Sequence, residues 1–221
     1  MELRAGLGVI NSATPDKPSH AGTLGGPVYD QQGNLRLLTC FHCVFAGGFD
    51  WDSRRISTDH PFVSVNDNGD FKQAAKIIDV MRDPFVDIAL LEPLPGHTVN
   101  REIGPWGIPK SSRAMTEDER NLTWLKKIGQ KDPNITYARF DGFRPYFGDN
   151  YEGEQTMFYL RDLLQITSPT VTHFSVVGDS GSFVLDSDNH VVGMIVMGQD
   201  HTSFAIKAAP IERNFNIKFA L

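Results

Sequence analysis

Short runs of apolar and β-branched residues, separated by Gly, Pro, Asn and Asp, recur along almost the whole chain, and helical periodicity is nearly absent. The first group is GTLGGPVYD, NLRLLTC, PFVSV, KQAAKIIDVM and DIALLE; the second is WLKKIG, ITYARFDGF, MFYLRDLLQI, GSFVLD, HVVGMIVMG and SFAIKA. Between them, Glu92 to Lys110 is rich in Pro and Gly and reads as a surface connection. Such a pattern predicts an all-β chain in two halves, 1–110 and 111–221, each built from short antiparallel strands. Helix signals are confined to two places. Thr116 with Glu119 has capping-box spacing, which predicts a turn or two of helix. Pro210 before IERNFN predicts a short C-terminal helix with proline at its first position. PYFGDNYEGE, from Pro145 to Glu154, is acidic and aromatic and is expected to be a surface loop.

Several functions are disfavoured by composition. With 221 residues the chain can bury a real core, but its net charge of -6 and the lack of a basic stripe argue against nucleic-acid binding. No apolar run approaches the length of a membrane-spanning helix, and no membrane partner is expected. The N-terminus MELRAGLGVI has no export-signal pattern. Cys40 and Cys43 flank a histidine at the end of a strand-like run, a context that rarely suits a disulfide. A zinc site of Cys40, His42 and Cys43 lacks further ligands at finger spacing. Two reduced thiols are therefore expected, in a reducing, cytoplasmic compartment rather than outside the cell. Asn121 and Asn134 open Asn-x-Thr sequons that matter only in a secreted chain. No metal or organic cofactor is implied.

The stretch VVGDSGSFVL carries the sharpest chemical signal, because Ser180 sits between glycines on a turn bounded by strand-like residues. A serine hydroxyl needs a neighbouring base, and the base needs a group to orient it. Within LLTCFHCV a strand-like run ends at His42, and within VDIALLE one starts at Asp87. Together they give the order His, Asp, Ser, with 45 and 93 positions between them. An esterase elbow is excluded because position 182 is Ser, not Gly, and an α/β-hydrolase would need long alternating helices. His20, His60, His97, His173, His190 and His201 lack a comparable context and read as surface or structural residues.

These three motifs resemble those of the trypsin-like serine proteases. LLTCFHCV is similar to the family's histidine motif, DIALLE to its aspartate motif and GDSGS to its nucleophile loop; AGTLGGPVYD and KKIGQ look closest to bacterial and fungal members. The resemblance runs from about Gly22 to Pro210. It implies two six-stranded antiparallel β-barrels with a short C-terminal helix, and a serine endopeptidase acting on a protein or peptide substrate. His42 would be the general base, Asp87 its orienting carboxylate and Ser180 the nucleophile, with the Gly178 and Ser180 amides as the oxyanion hole. Phe174 would lie at the base of the pocket for the side chain preceding the cut, with Ser175, Gly198 and Ser203 around it. Val196, Met197 and Gly198 would form the edge that pairs with substrate backbone. Trypsin-like enzymes that cut after Arg or Lys carry aspartate where Phe174 stands, and glutamate-specific relatives carry histidine near Ile195 and Val196. A small or medium apolar residue before the cut is therefore expected. MELRAGLGV contains no Ile-Val-Gly-Gly terminus to pair with Asp179, so that carboxylate is expected to have an internal partner and the enzyme to need no terminal cleavage. The competing expectation is a silent or partner-activated peptide-binding module on the same fold, governed by a regulatory partner or flanking domain.

Overall fold

The computed structural model describes residues 1–14, 21–45, 60–130, 136–149, 158–170 and 173–220. Strand β1 (Glu2–Leu3) lies parallel to β9 (Thr98–Val99), tying the N-terminus to the connection between the halves. Strands β2 (Gly8–Asn11), β3 (Gly22–Thr23), β4 (Gly26–Tyr29), β5 (Leu35–Thr39), β6 (Phe62–Asp67), β7 (Asp70–Asp83) and β8 (Val86–Pro93) form one antiparallel sheet in the order β3-β2-β6-β7-β8-β5-β4. Strands β10 (Trp124–Lys127), β11 (Thr136–Asp149), β12 (Phe158–Thr167), β13 (Phe183–Asp186), β14 (Val191–Gln199) and β15 (Thr202–Lys207) form a closed six-stranded barrel.

The second half thus has the expected barrel, while the first closes differently. Strands β3 and β4 lie at opposite ends of the seven-stranded order, yet only Leu24 and Gly25 separate them in the chain. The sheet must therefore curl until its two edges nearly meet. If β3 and β4 are read as one broken strand, six remain, and the break leaves a seam at Thr23 to Gly26. The β4 edge is covered by the C-terminal tail, where Tyr29 and Lys218 exchange backbone hydrogen bonds of 2.8 Å.

Most of the strands read as continuous apolar runs because both faces are covered. Leu37, Ala89 and Leu91 fill the inside of the curled sheet with Val63, Val65 and Ile77. Their chain neighbours Leu38, Ile88 and Leu90 point the other way, into a core shared with Phe183, Met194, Phe204 and Ile206 of the barrel. A third core, containing Leu125, Phe140, Leu164, Ile166, Val184 and Ile195, fills the barrel itself. The middle core is what joins the halves.

Helix α1 spans Ala208–Phe215 and turns Ala208, Ile211 and Phe215 inward. It starts two residues before the expected position, so Pro210 lies within the first turn, where its missing N–H costs no helix bond. Near Thr116 the chain makes only a single 3-10 turn, Glu117–Glu119, with the Thr116 amide donating to Glu119 Oε2 at 2.8 Å. The expected loop at Pro145 is corrected as well. Residues up to Asp149 continue β11 against β12, with Tyr146 opposite Arg161, and the exposed rings of Tyr146 and Tyr159 pack 6.2 Å apart across this hairpin. The rest of that stretch, and also His20 and Asn134, lies outside the described residues. Among the described residues no helix is long and apolar enough to cross a membrane, and no three His, Cys, Asp or Glu side chains converge as a metal site.

Candidate active site

Strand β5 ends at Thr39, paired with Ala89 of β8, and the chain then turns through a 3-10 segment, Phe41–Cys43. That pairing sets His42 beside Asp87, two residues before Ala89. The Asp87 carboxylate is fully buried and grips His42 twice: Oδ1 accepts the backbone N–H at 3.2 Å, and Oδ2 accepts from ring Nδ1 at 2.6 Å. Holding the proton on Nδ1 leaves Nε2 as the basic nitrogen of the neutral ring, the tautomer a general base requires. Burial pushes the Asp87 carboxyl up, but His42 and then Arg82, its cross-strand partner, outweigh burial and keep it below the ordinary carboxylate range. Burial likewise opposes charge on His42, yet Cys43 and Asp87 reverse the effect and lift the imidazole to about 10.

Ser180 occupies a turn held by both halves of the molecule. Its carbonyl accepts from Thr23 N–H at 2.7 Å, and Gly181 N–H donates to Ile195 O at 2.8 Å. Gly178 and Gly181 both have positive φ, 102° and 100°. At Gly181 a Cβ would lie 2.1 Å from Thr23 O, so glycine is required for the close approach of the two sheets. The Gly178 carbonyl accepts from Thr23 Oγ1 at 2.8 Å and from Gln130 Nε2 at 3.2 Å. With that carbonyl anchored, the Gly178 and Ser180 amides donate to no acceptor among the described residues. Two such amides on one turn are what an oxyanion hole needs.

Asp179, between them, has the internal partner that the sequence left unnamed. Lys127 Nζ donates to Asp179 Oδ2 at 2.7 Å, both side chains being buried, and Val176 N–H donates to the same oxygen at 3.1 Å. Lys127 ends β10 and points inward like Leu125, two residues earlier. The run WLKKIG contained this signal as strand alternation. Arg82, Thr23 and Gln130 are the other residues of the site that sequence reading missed.

The third link of the expected triad is not formed. Ser180 Oγ donates to the Val196 carbonyl at 3.0 Å, so passing its proton to His42 requires rotation about χ1. That carbonyl is available because β14 bulges between Ile195 and Met197, leaving Val196 out of the ladder with β15. Val196 itself is buried, Met197 half-buried and Gly198 exposed. β13 pairs with β14 only as far as Met194, so among the described residues the segment beyond keeps one edge unpaired by strands.

Ser175, Gly198 and Ser203 lie close together. Ser175 Oγ and Ser203 Oγ share a 2.7 Å hydrogen bond, and a Cβ at Gly198 would lie 2.8 Å from Ser175 Oγ. Phe174 departs from expectation. Its ring is 1% exposed, belongs to the barrel core, and lies 5.7 Å from Lys127 Nζ. An inward Lys127 needs packing around its ammonium, and the Phe174 face supplies it.

No protein-family model matches the chain, and no curated protein is similar to it in sequence. Solved structures do match over the whole length. The chain is similar to Nocardiopsis protease with a TM-score of 0.65 and 13% identity over 100% of both chains. For Thermobifida fusca Protease A the values are 0.63 and 12%, covering 99% of this chain and 98% of the other. For Cellulomonas bogoriensis chymotrypsin they are 0.62 and 14%, again covering 99% and 98%. At such identities the likeness is one of fold: this chain has the chymotrypsin fold of bacterial serine proteases.

Proposed function

We propose that the chain is a serine endopeptidase that hydrolyses peptide bonds through His42, Asp87 and Ser180. Ser180 Oγ turns from Val196 toward His42, gives its proton to Nε2 and attacks the scissile carbonyl carbon. The Gly178 and Ser180 amides receive the oxyanion. His42 then protonates the leaving amine, and the acyl-enzyme forms; water, deprotonated by the same imidazole, releases the acid. Asp87 keeps the ring oriented throughout and favours the imidazolium. The observation that carries this reading is the pairing of a base gripped twice by a buried carboxylate with a serine turn whose Gly178 and Ser180 amides are unspent among the described residues.

Fluorophosphonate labelling followed by intact mass tests it. One adduct is expected on the native chain and none on Ser180→Ala; a folded native chain that takes no adduct would overturn the reading.

The residue before the cut is proposed to be small or medium-sized and apolar. Ser175 and Ser203 satisfy each other, so the wall they form demands no polar partner from a substrate, and among the described residues no acidic side chain hydrogen-bonds to either of them. A peptide-library profile dominated by Arg, Lys or Glu would remove this proposal. One observation favours the second reading, a silent or partner-activated binding module: the Ser180 hydroxyl is spent on Val196. On that reading labelling fails until a partner is added. Two free buried thiols fit a reducing compartment.

A further inference from the structure

Cys40 and Cys43 bracket His42, and the mechanism above gives neither sulfur a task. The structure changes the geometry on which a disulfide was disfavoured. Cys43 N–H donates to Cys40 O at 3.3 Å, so the four residues close a turn rather than continue a strand. Turns of this kind hold their first and last Cα within about 7 Å, and disulfides span Cα separations of about 4.4–6.8 Å.

The two thiols also differ in character. Cys40 Sγ is fully buried and donates to Ile195 O at 3.2 Å. Cys43 Sγ lies against the catalytic turn, donating to Ser180 O at 3.6 Å, in space that exists because residue 22 is glycine; a Cβ there would sit 2.1 Å from the sulfur. Burial raises both thiols. At Cys43 the Cys40 thiol and His42 overcome burial and bring it down to about 6, while Cys40 stays well above the ordinary thiol range. Cys43 therefore has the thiolate character of an attacking sulfur, and Cys40 that of a resolving one. Both are buried, but His42 and Ser180, next to Cys43, are partly exposed, and a small oxidant would reach the sulfur from that side.

We propose that Cys40 and Cys43 form an oxidisable dithiol site that closes to a disulfide on reaction with a peroxide and switches the active site off, the switching resting on the protease reading. The Cys43 sulfur attacks one peroxide oxygen; an S–O bond forms as the O–O bond breaks, and the first water leaves, giving a sulfenic acid. The Cys40 sulfur then attacks Cys43, the S–O bond breaks, the S–S bond forms, and a second water leaves carrying the remaining thiol proton. Two thiols are oxidised and one peroxide is reduced. Closing the bridge draws the Cys43 sulfur toward Cys40, off the Ser180 carbonyl, and distorts the turn that presents His42.

The reduced full-length chain is titrated with hydrogen peroxide and followed by intact mass and by fluorophosphonate labelling. A loss of about 2 Da is expected, reversed by dithiothreitol. Cys40→Ser, which keeps a donor to Ile195 O, stops instead at a gain of about 16 Da that dimedone traps. Labelling should fall by about a hundredfold or more as the bridge forms, and return on reduction. A folded chain that shows no mass loss overturns the site, whatever the labelling does. A bridge that leaves labelling unchanged overturns the switch. A reduced chain that never labels overturns the protease reading alone, because the mass shift still decides the disulfide.

Discussion

Replacing Lys127 with methionine should collapse the turn that carries the proposed oxyanion donors, and the structure sets the scale of the effect. Lys127 and Asp179 are 0% and 1% exposed and 2.7 Å apart. Methionine fills the space of the lysine stem but leaves the carboxylate buried with Val176 N–H as its remaining donor. Breaking a buried pair from one side typically costs about 3–5 kcal/mol, against a total stability of about 5–15 kcal/mol. For a chain of this length that lowers the melting temperature by about 6–20 °C. Part of the strain can be relieved if Asp179 swings out toward Gly129, where its Oδ1 already lies 2.0 Å from the place a Cβ would take. The amides on either side of Asp179 would then leave their positions. Each lost oxyanion donor is worth about 10²–10³ in turnover, so fluorophosphonate labelling should slow by at least that factor. Adding Asp179→Asn removes the unpaired charge and should recover most of the melting temperature. A Lys127→Met chain that melts and labels like the parent refutes the reasoning; one that melts lower but labels normally shows that Thr23 and Gln130 hold the turn without the ion pair.

The remaining predictions concern the base and the seam. Asp87→Asn keeps the shape but disturbs the His42 tautomer, and kcat should fall by about 10⁴ on a peptide ester while the chain stays folded. Because Cys43 and Asp87 raise His42, labelling and kcat/KM should rise with pH through a midpoint above the ordinary 6.5; Cys43→Ser should move that midpoint down, and an unmoved profile contradicts the assignment. The linked stability has a definite sign: the raised imidazole stabilises the fold fully below 6.5 and loses that contribution as pH climbs toward about 10, which urea titrations across that range would read. Thr23→Val removes the hydroxyl that binds the Gly178 carbonyl and accepts from Gln130 N–H at 3.1 Å, so it should cost about 1–3 kcal/mol and lower kcat more than it changes KM.

The seam explains what could be read from the residues and what could not. His42, Asp87 and Ser180 could be singled out as candidates because each lies near the end of a strand-like run, and the three runs occur in the order His, Asp, Ser. The all-β class was legible for a simpler reason, since Gly, Pro and Asn punctuate apolar runs too short for helices. Lys127 was legible in principle, because alternation from Leu125 turns it inward, but a lysine in a strand normally reads as solvent-facing until its buried partner is known. Phe174 was placed by resemblance at the floor of a pocket, and packing around that same lysine drew its ring into the core instead. Thr23 carried no signal at all. Its carbonyl accepts from Thr39 Oγ1, its amide binds Ser180 O, and its hydroxyl binds Gly178 O, contacts reaching 16 to 157 positions along the chain. Such a hub arises only when the first sheet curls and breaks between β3 and β4, because an unbroken strand would spend the same backbone groups on its ladder neighbours. The break that keeps the first barrel from closing as a regular six-stranded ring thus frees the donors that anchor the Ser180 turn in the second.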